Sequence, residues 1–190
     1  MSKRILTAAI VIVILFAACP LAARGQDYPV KKIRAGGILG WNWATDSELS
    51  DMGSSFLLGF DLGIMVKDRL EIYVAPVFQQ SISIMLLGLG DTFTSFNLLL
   101  GAYHHLLTPR PWIDLKIGGG LVLGQVMFEQ KDDKSGLGVW AGAALEVPVR
   151  LSFVEPRWGL ELRYQSLRID VGKTVDFGGI QLLSTFRLGF

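Results

Sequence analysis

The chain has 190 residues, 51% hydrophobic and 18% charged, with 18 Lys and Arg against 17 Asp and Glu. One domain is expected at this length; a mean hydropathy of +0.42 excludes a disordered chain, and the absence of a large positive excess excludes a polyanion-coating nucleic-acid binder. A single cysteine excludes a disulfide-stapled mini-protein, and the only helix-like apolar run, Ile5 to Ala18, falls short of the roughly 20 residues a membrane helix needs.

Residues 1–25 read as a secretory signal peptide. Lys3 and Arg4 form a positive start, Ile5 to Ala18 an apolar stretch, and Ala22-Ala23-Arg24-Gly25 a small-residue cleavage region. The expected cut lies near Ala23 or Gly25, leaving residues 26–190 as one domain. The rival reading is a lipoprotein signal at Phe16-Ala17-Ala18-Cys19, against which stand Phe16 and the Pro20 that follows the cysteine. Ordinary cleavage removes Lys3, Arg4 and Arg24 but no acid, so the net charge falls from +1 to −2. It also removes Cys19, the sole cysteine, so no disulfide supports the exported chain.

Beyond residue 28 the pattern has period two, the signature of strands with two different faces. A weak first strand runs from Val30 to Trp41, with Lys32, Arg34 and Gly36 on its polar side. In residues 54–67, Phe56, Leu58, Phe60, Leu62, Ile64 and Val66 oppose Leu57, Gly59, Asp61, Gly63, Met65 and Lys67. After Arg69, Leu70, Ile72, Val74, Pro76 and Phe78 alternate with Glu71, Tyr73, Ala75, Val77 and Gln79. The fourth strand sets Phe96, Leu98, Leu100 and Ala102 against Asn97, Leu99, Gly101 and Tyr103. The fifth sets Ile113, Leu115, Ile117, Leu121 and Leu123 against Asp114, Lys116, Gly118, Gly120 and Gly124. In the sixth, Leu137, Val139, Ala141, Ala143, Leu145 and Val147 oppose Gly138, Trp140, Gly142, Ala144 and Glu146. In the seventh, Trp158, Leu160, Leu162 and Tyr164 oppose Gly159, Glu161, Arg163 and Gln165. The eighth carries Ile180, Leu182, Ser184, Phe186, Leu188 and Phe190 against Gln181, Leu183, Thr185, Arg187 and Gly189.

Most of these strands exceed the five or six residues usual in soluble proteins and match the about 9–11 needed to cross a membrane. Short joints at 67–69, 107–111 and 149–157 alternate with longer connections at 42–55, 85–92, 128–135 and 168–176. The fold class that follows is all-β, an eight-stranded antiparallel up-and-down transmembrane β-barrel with both ends of the chain on the inner side. A charge facing hydrocarbon at mid-depth costs up to roughly 2–4 kcal/mol, so the polar sides must face the lumen. That assigns Asp61, Glu71, Asp114, Lys116, Glu146, Glu161, Arg163 and Arg187 to a lumen charge cluster. Lumen glycines at 59, 63, 118, 120, 138 and 142 suit a narrow barrel. Aromatic residues near strand ends suit headgroup depth: Trp41, Trp43, Phe56, Phe78 and Phe93 at the outer end, Trp112, Phe153, Trp158 and Phe190 at the inner.

The chain's ending, with Phe186, Leu188 and a final Phe190, resembles the C-terminal signal by which bacterial outer-membrane proteins are recognised for assembly. With the signal peptide and the eight alternating strands, residues 28–190 resemble a small outer-membrane barrel of the OmpA transmembrane-domain and OmpX type. The resemblance implies residence in a Gram-negative-type outer membrane, with membrane lipid and the barrel-assembly machinery as partners. It transfers no catalytic site and implies no cofactor. The OmpA type carries a separate peptidoglycan-binding domain, which residues 28–190 do not supply, so cell-wall tethering is not implied.

Other motifs favour plain readings. His104 and His105 are adjacent on a strand and point to opposite faces, so they cannot chelate one metal together; interfacial polar filler beside Pro109 and Pro111 is the reading. An acyl-transfer enzyme of the lipid A deacylase kind needs a serine beside a base, but the outer-end serines have no histidine at that end, and Leu106 and Leu107 occupy the positions of a His-x-Ser motif. Gly118-Gly119-Gly120 lacks the Lys-Ser/Thr of a phosphate loop. Asp132-Asp133 between Lys131 and Lys134 reads as a solvated loop tip rather than a metal site. The segment from Ile82 to Gly90 has an apolar tip, and Ile84, Leu86 and Leu87 are candidate contacts for an extracellular or envelope protein partner, or for lipid. The expectation is a monomeric, non-enzymatic outer-membrane barrel with a structural or surface-interaction role, binding no nucleic acid. A narrow solute channel is the alternative.

Overall fold

The computed structural model describes residues 33–46, 54–67, 69–81, 93–106, 113–128, 133–148, 154–170, 172 and 174–190. The signal segment, the 82–90 tip with Ile84, Leu86 and Leu87, and the belt candidates Trp112 and Phe153 lie outside the described residues.

The strands are β1 (Ile33–Ala44), β2 (Ser54–Lys67), β3 (Leu70–Ser81), β4 (Phe93–His105), β5 (Asp114–Phe128), β6 (Lys134–Pro148), β7 (Glu155–Asp170), β8 (Thr174–Asp176) and β9 (Gly179–Gly189). Each pairs antiparallel with its sequence neighbour from β1 to β8, while β9 pairs with β7 on one side and β1 on the other. β8 and β9 are two pieces of one stave, interrupted at Phe177-Gly178, so the wall is a closed barrel of eight staves. Closure through β9, paired along its whole length with β1 and β7, meets the condition for a sheet surrounded by hydrocarbon in that part of the wall. At the seam the Phe190 amide donates to the Ile33 carbonyl at 2.9 Å. We call that end of the barrel the base and the opposite end the rim.

Several strands run longer than the alternation alone suggests. β4 continues through His105, β7 begins at Glu155 and reaches Asp170, and the connection expected at 168–176 is mostly a tight β7–β8 hairpin. β1 is described from Ile33 to Ala44, three residues past the expected end at Trp41, while residues 30–32 lie outside the described residues.

Period-two alternation divides the wall into two surfaces. The apolar sides face outward: Phe60 is 70% exposed, Leu162 59% and Leu121 50%. The opposite sides are buried in the interior. Trp43, Phe56, Phe78, Trp158 and Phe190 lie on the outward surface. Inward glycines make room for neighbours' side chains. A Cβ on Gly63 would strike the Glu71 carboxylate, and one on Gly118 the Tyr103 ring.

Candidate functional site

Reading each stave from base to rim, the lumen is stratified. Charged side chains occupy the base half: Arg34 on β1, Asp61 on β2, Glu71 on β3, His105 on β4, Asp114 and Lys116 on β5, Glu146 on β6, Arg157, Glu161 and Arg163 on β7, and Arg187 on β9. Towards the rim come Ile38, Leu57, Val77, Leu99, Val122, Leu167 and Leu183, all buried in one cluster. Beyond these, Asn42, Ser55, Gln79, Ser81, Ser95 and Asn97 form an uncharged polar tier. Two of its links are the hydrogen bond from Gln79 Nε2 to Ser55 Oγ at 3.2 Å and that from Asn97 Nδ2 to Gln79 Oε1 at 3.4 Å.

The charged tier is a connected network. Arg187 donates from Nε to Asp61 Oδ2 at 2.7 Å, and from Nη1 to Glu71 Oε1 and Glu146 Oε1, each at 3.1 Å. Lys116 Nζ lies 2.6 Å from Glu146 Oε1 and 3.6 Å from Glu71 Oε2. Arg34 Nη1 donates to Glu71 Oε2 at 3.0 Å. Arg157 reaches Asp114 at 2.8 Å and Glu146 at 3.4 Å, and also pairs with Glu155. The His105 ring is held between two carboxylates, Nδ1 2.8 Å from Asp114 Oδ1 and Nε2 3.1 Å from Glu71 Oε2.

A second patch adjoins it. Arg163 donates to Glu161 Oε1 at 2.8 Å and to the Tyr73 hydroxyl at 2.9 Å, and Tyr103 donates to Glu161 Oε1 at 2.6 Å. Tyr73, Tyr103 and Trp140 pack together with ring centroids 5.0–5.5 Å apart. The cations sit over these rings: Arg163 is 4.9 Å from the Trp140 centroid, and Lys116 Nζ is 4.3 Å from that of Tyr103.

The eight residues assigned to the lumen charge cluster therefore all lie in the interior, buried to 4% exposure or less. The structure joins Arg34, Arg157, His105, Tyr73, Tyr103 and Trp140 to them. Arg34, Tyr73, Tyr103 and Trp140 already stood on the polar sides of their strands. Arg157, expected in the 149–157 connection, is a lumen residue because β7 starts at Glu155. His105 is a correction: it is not interfacial filler, because β4 keeps its alternation to the end and turns the ring inward on the same side as Tyr103. Phe186 and Phe190 face outward along β9, 54% and 57% exposed.

The charges of the tier balance. Five buried Asp and Glu meet five buried Lys and Arg, with one histidine between acids. Buried charges are tolerated when each is paired and hydrogen-bonded. No group of three or more acidic, histidine or cysteine side chains able to hold a metal is found among the described residues.

A closed wall of eight antiparallel staves, apolar outside and ionic within, has the architecture of a small outer-membrane-type β-barrel. The chain is similar in fold to Neisserial surface protein A (NspA), with a TM-score of 0.58 and 15% identity over 83% of this chain and 96% of that one. The N-terminal β-barrel domain of Pseudomonas aeruginosa OprF aligns with a TM-score of 0.47 and 13% identity, covering 85% and 99% of the two chains. The Yersinia pestis outer membrane protein Ail, in a phospholipid bilayer nanodisc, aligns at 0.47 and 11%, covering 82% and 99%. No protein-family model and no curated protein matches the sequence.

Proposed function

We propose that this chain is an integral outer-membrane protein whose barrel is a closed anchor, and whose rim and outer loops carry a structural or surface-interaction role. The observation that supports this reading is the lumen. Opposite charges in equal number, cross-linked through Arg187, fill the base half, and an apolar tier stands above them. Eight staves leave an interior that side chains just fill. A solute crossing it would have to part ion pairs from three or more strands at once. The outward apolar surface supplies the matching membrane contact.

In this reading the base faces the periplasm, the first 25 residues are a cleaved export signal, and Phe186, Leu188 and Phe190 are read by the barrel-assembly machinery. Membrane lipid is the principal partner, and the protein is a non-enzymatic monomer. The test is twofold. In the outer-membrane fraction, unheated protein in mild SDS migrates differently from boiled protein. In planar bilayers the purified barrel shows no steady ion conductance. Sustained single-channel currents would replace the closed anchor with a narrow channel, and a band confined to the soluble periplasm would reject membrane residence.

A further inference from the structure

The wall is notched at the rim, beside β8. Among the described residues β1 pairs with the last stave as far as Ala44 opposite Gly179, and Thr45 and Asp46, opposite the break at Phe177-Gly178, are not strand. β8 is bonded to β7 on one side, and the Asp176 amide donates to the Asp46 side chain at 3.0 Å. An open cavity of about 440 Å³ results, on the outside of the wall at the rim, lined by Thr45, Asp46, Tyr164, Arg168, Thr174 and Asp176. Its size falls in the roughly 300–1,000 Å³ range of small-molecule sites.

The lining is chemically specific. It offers a guanidinium, two carboxylates, two hydroxyls and a phenol, with no aliphatic side chain. One carboxylate is fixed in place: Asp176 accepts from Ser166 Oγ at 2.6 Å, the Leu167 amide at 2.7 Å and the Gly178 amide at 2.9 Å. Arg168 projects outward and is exposed. Tyr164, 37% exposed, offers a flat ring four residues from Arg168 along β7, on the same face and nearer the membrane, between outward Ile180 and Ala141. Fixed carboxylates accept from ring hydroxyls, a guanidinium grips hydroxyl or phosphate oxygens, and an aromatic ring covers the apolar face of a sugar. The notch is continuous with the apolar wall below it, at the depth where lipid headgroups begin if the barrel spans the membrane.

We propose that this notch binds the saccharide headgroup of a membrane glycolipid, with Arg168 and Tyr164 as contact residues and Asp176 as a preset acceptor. The inference rests on membrane residence. It is tested with the full-length protein reconstituted in vesicles, adding purified lipopolysaccharide as the glycolipid, the lipid-free core oligosaccharide made from it, or phosphatidylglycerol. Arg168→Gln and Tyr164→Leu alter exposed side chains outside the wall ladder. Each should keep the heat-dependent mobility shift while weakening lipopolysaccharide binding tenfold or more. Binding by both variants at wild-type strength overturns the site, as does equal binding of phosphatidylglycerol. Core oligosaccharide binding as tightly as the intact glycolipid overturns the lipid-headgroup assignment. Failure of the wild-type protein to insert or shift would instead reject membrane residence, so the two failures are told apart.

Discussion

Arg187→Met removes the hub of the charged tier, and its cost can be apportioned from the geometry. Glu71 keeps Arg34 at 3.0 Å and Glu146 keeps Lys116 at 2.6 Å, so both remain compensated. Asp61 loses its only ion pair among the described residues, the 2.7 Å contact with Arg187 Nε. Stripping one partner from a buried pair costs about 3–5 kcal/mol, so the single variant should lose that much stability. Asp61→Asn leaves Arg187 its two glutamates and should cost less, about 1.5–3 kcal/mol for one charged hydrogen bond. The double variant keeps the lumen electroneutral, so its cost should fall short of the sum by about 1.5–3 kcal/mol. The assay is urea unfolding in lipid vesicles, followed by tryptophan fluorescence, for wild type and all three variants. Additivity within about 0.5 kcal/mol would refute the claim that these two residues act as a coupled pair.

Adjacent glycines on β1 should behave oppositely. Gly36 faces inward, where a Cβ would meet the Phe186 carbonyl, so Gly36→Ala should cost about 1–3 kcal/mol. Gly37 faces out with nothing within 4 Å of its built Cβ, and Gly37→Ala should gain about 0.4–1 kcal/mol from a less flexible unfolded chain; urea midpoints measure both. Leu121→Arg places a charge halfway along β5 on the outward face, where it should cost about 2–4 kcal/mol in vesicles but much less in a soluble barrel. Phe190→Ser should lower the folded fraction recovered from outer membranes while leaving refolding of purified protein in detergent nearly unchanged, as compared on unheated gels.

The barrel is readable from sequence because each strand alternates independently, and a charge such as Asp61 or Arg163 fixes which face is wet without knowledge of any neighbour. What meets across the lumen is a different matter. That Arg187 touches Asp61, Glu71 and Glu146 depends on the tilt and stagger of the staves, which no single strand encodes. Strand ends are the least legible part of the fold. Pro156 and Pro148 near the β6–β7 joint favour a connection, which hid Arg157, and the prolines after Thr108 drew His105 toward a turn. The rim notch has no signal of its own: residues 168–176 are polar and loop-like, and the β7–β8 ladder with the hydrogen bonds of Asp176 shows the hairpin that no alternation announces.

Because the barrel closes through β1 and β9, its seam joins parts of the chain that are far apart in sequence. Loop-closure entropy must be met before such contacts return anything. Arg187 lies on the last strand, 126 residues from Asp61 and 116 from Glu71. Until β9 docks, those acids and Glu146 lack their shared cation. The step that seals the wall therefore also neutralises the interior, which makes zipping of the final strand a single late commitment. A chain halted just before residue 187 would hold most of its strands and still face excess negative charge in its core.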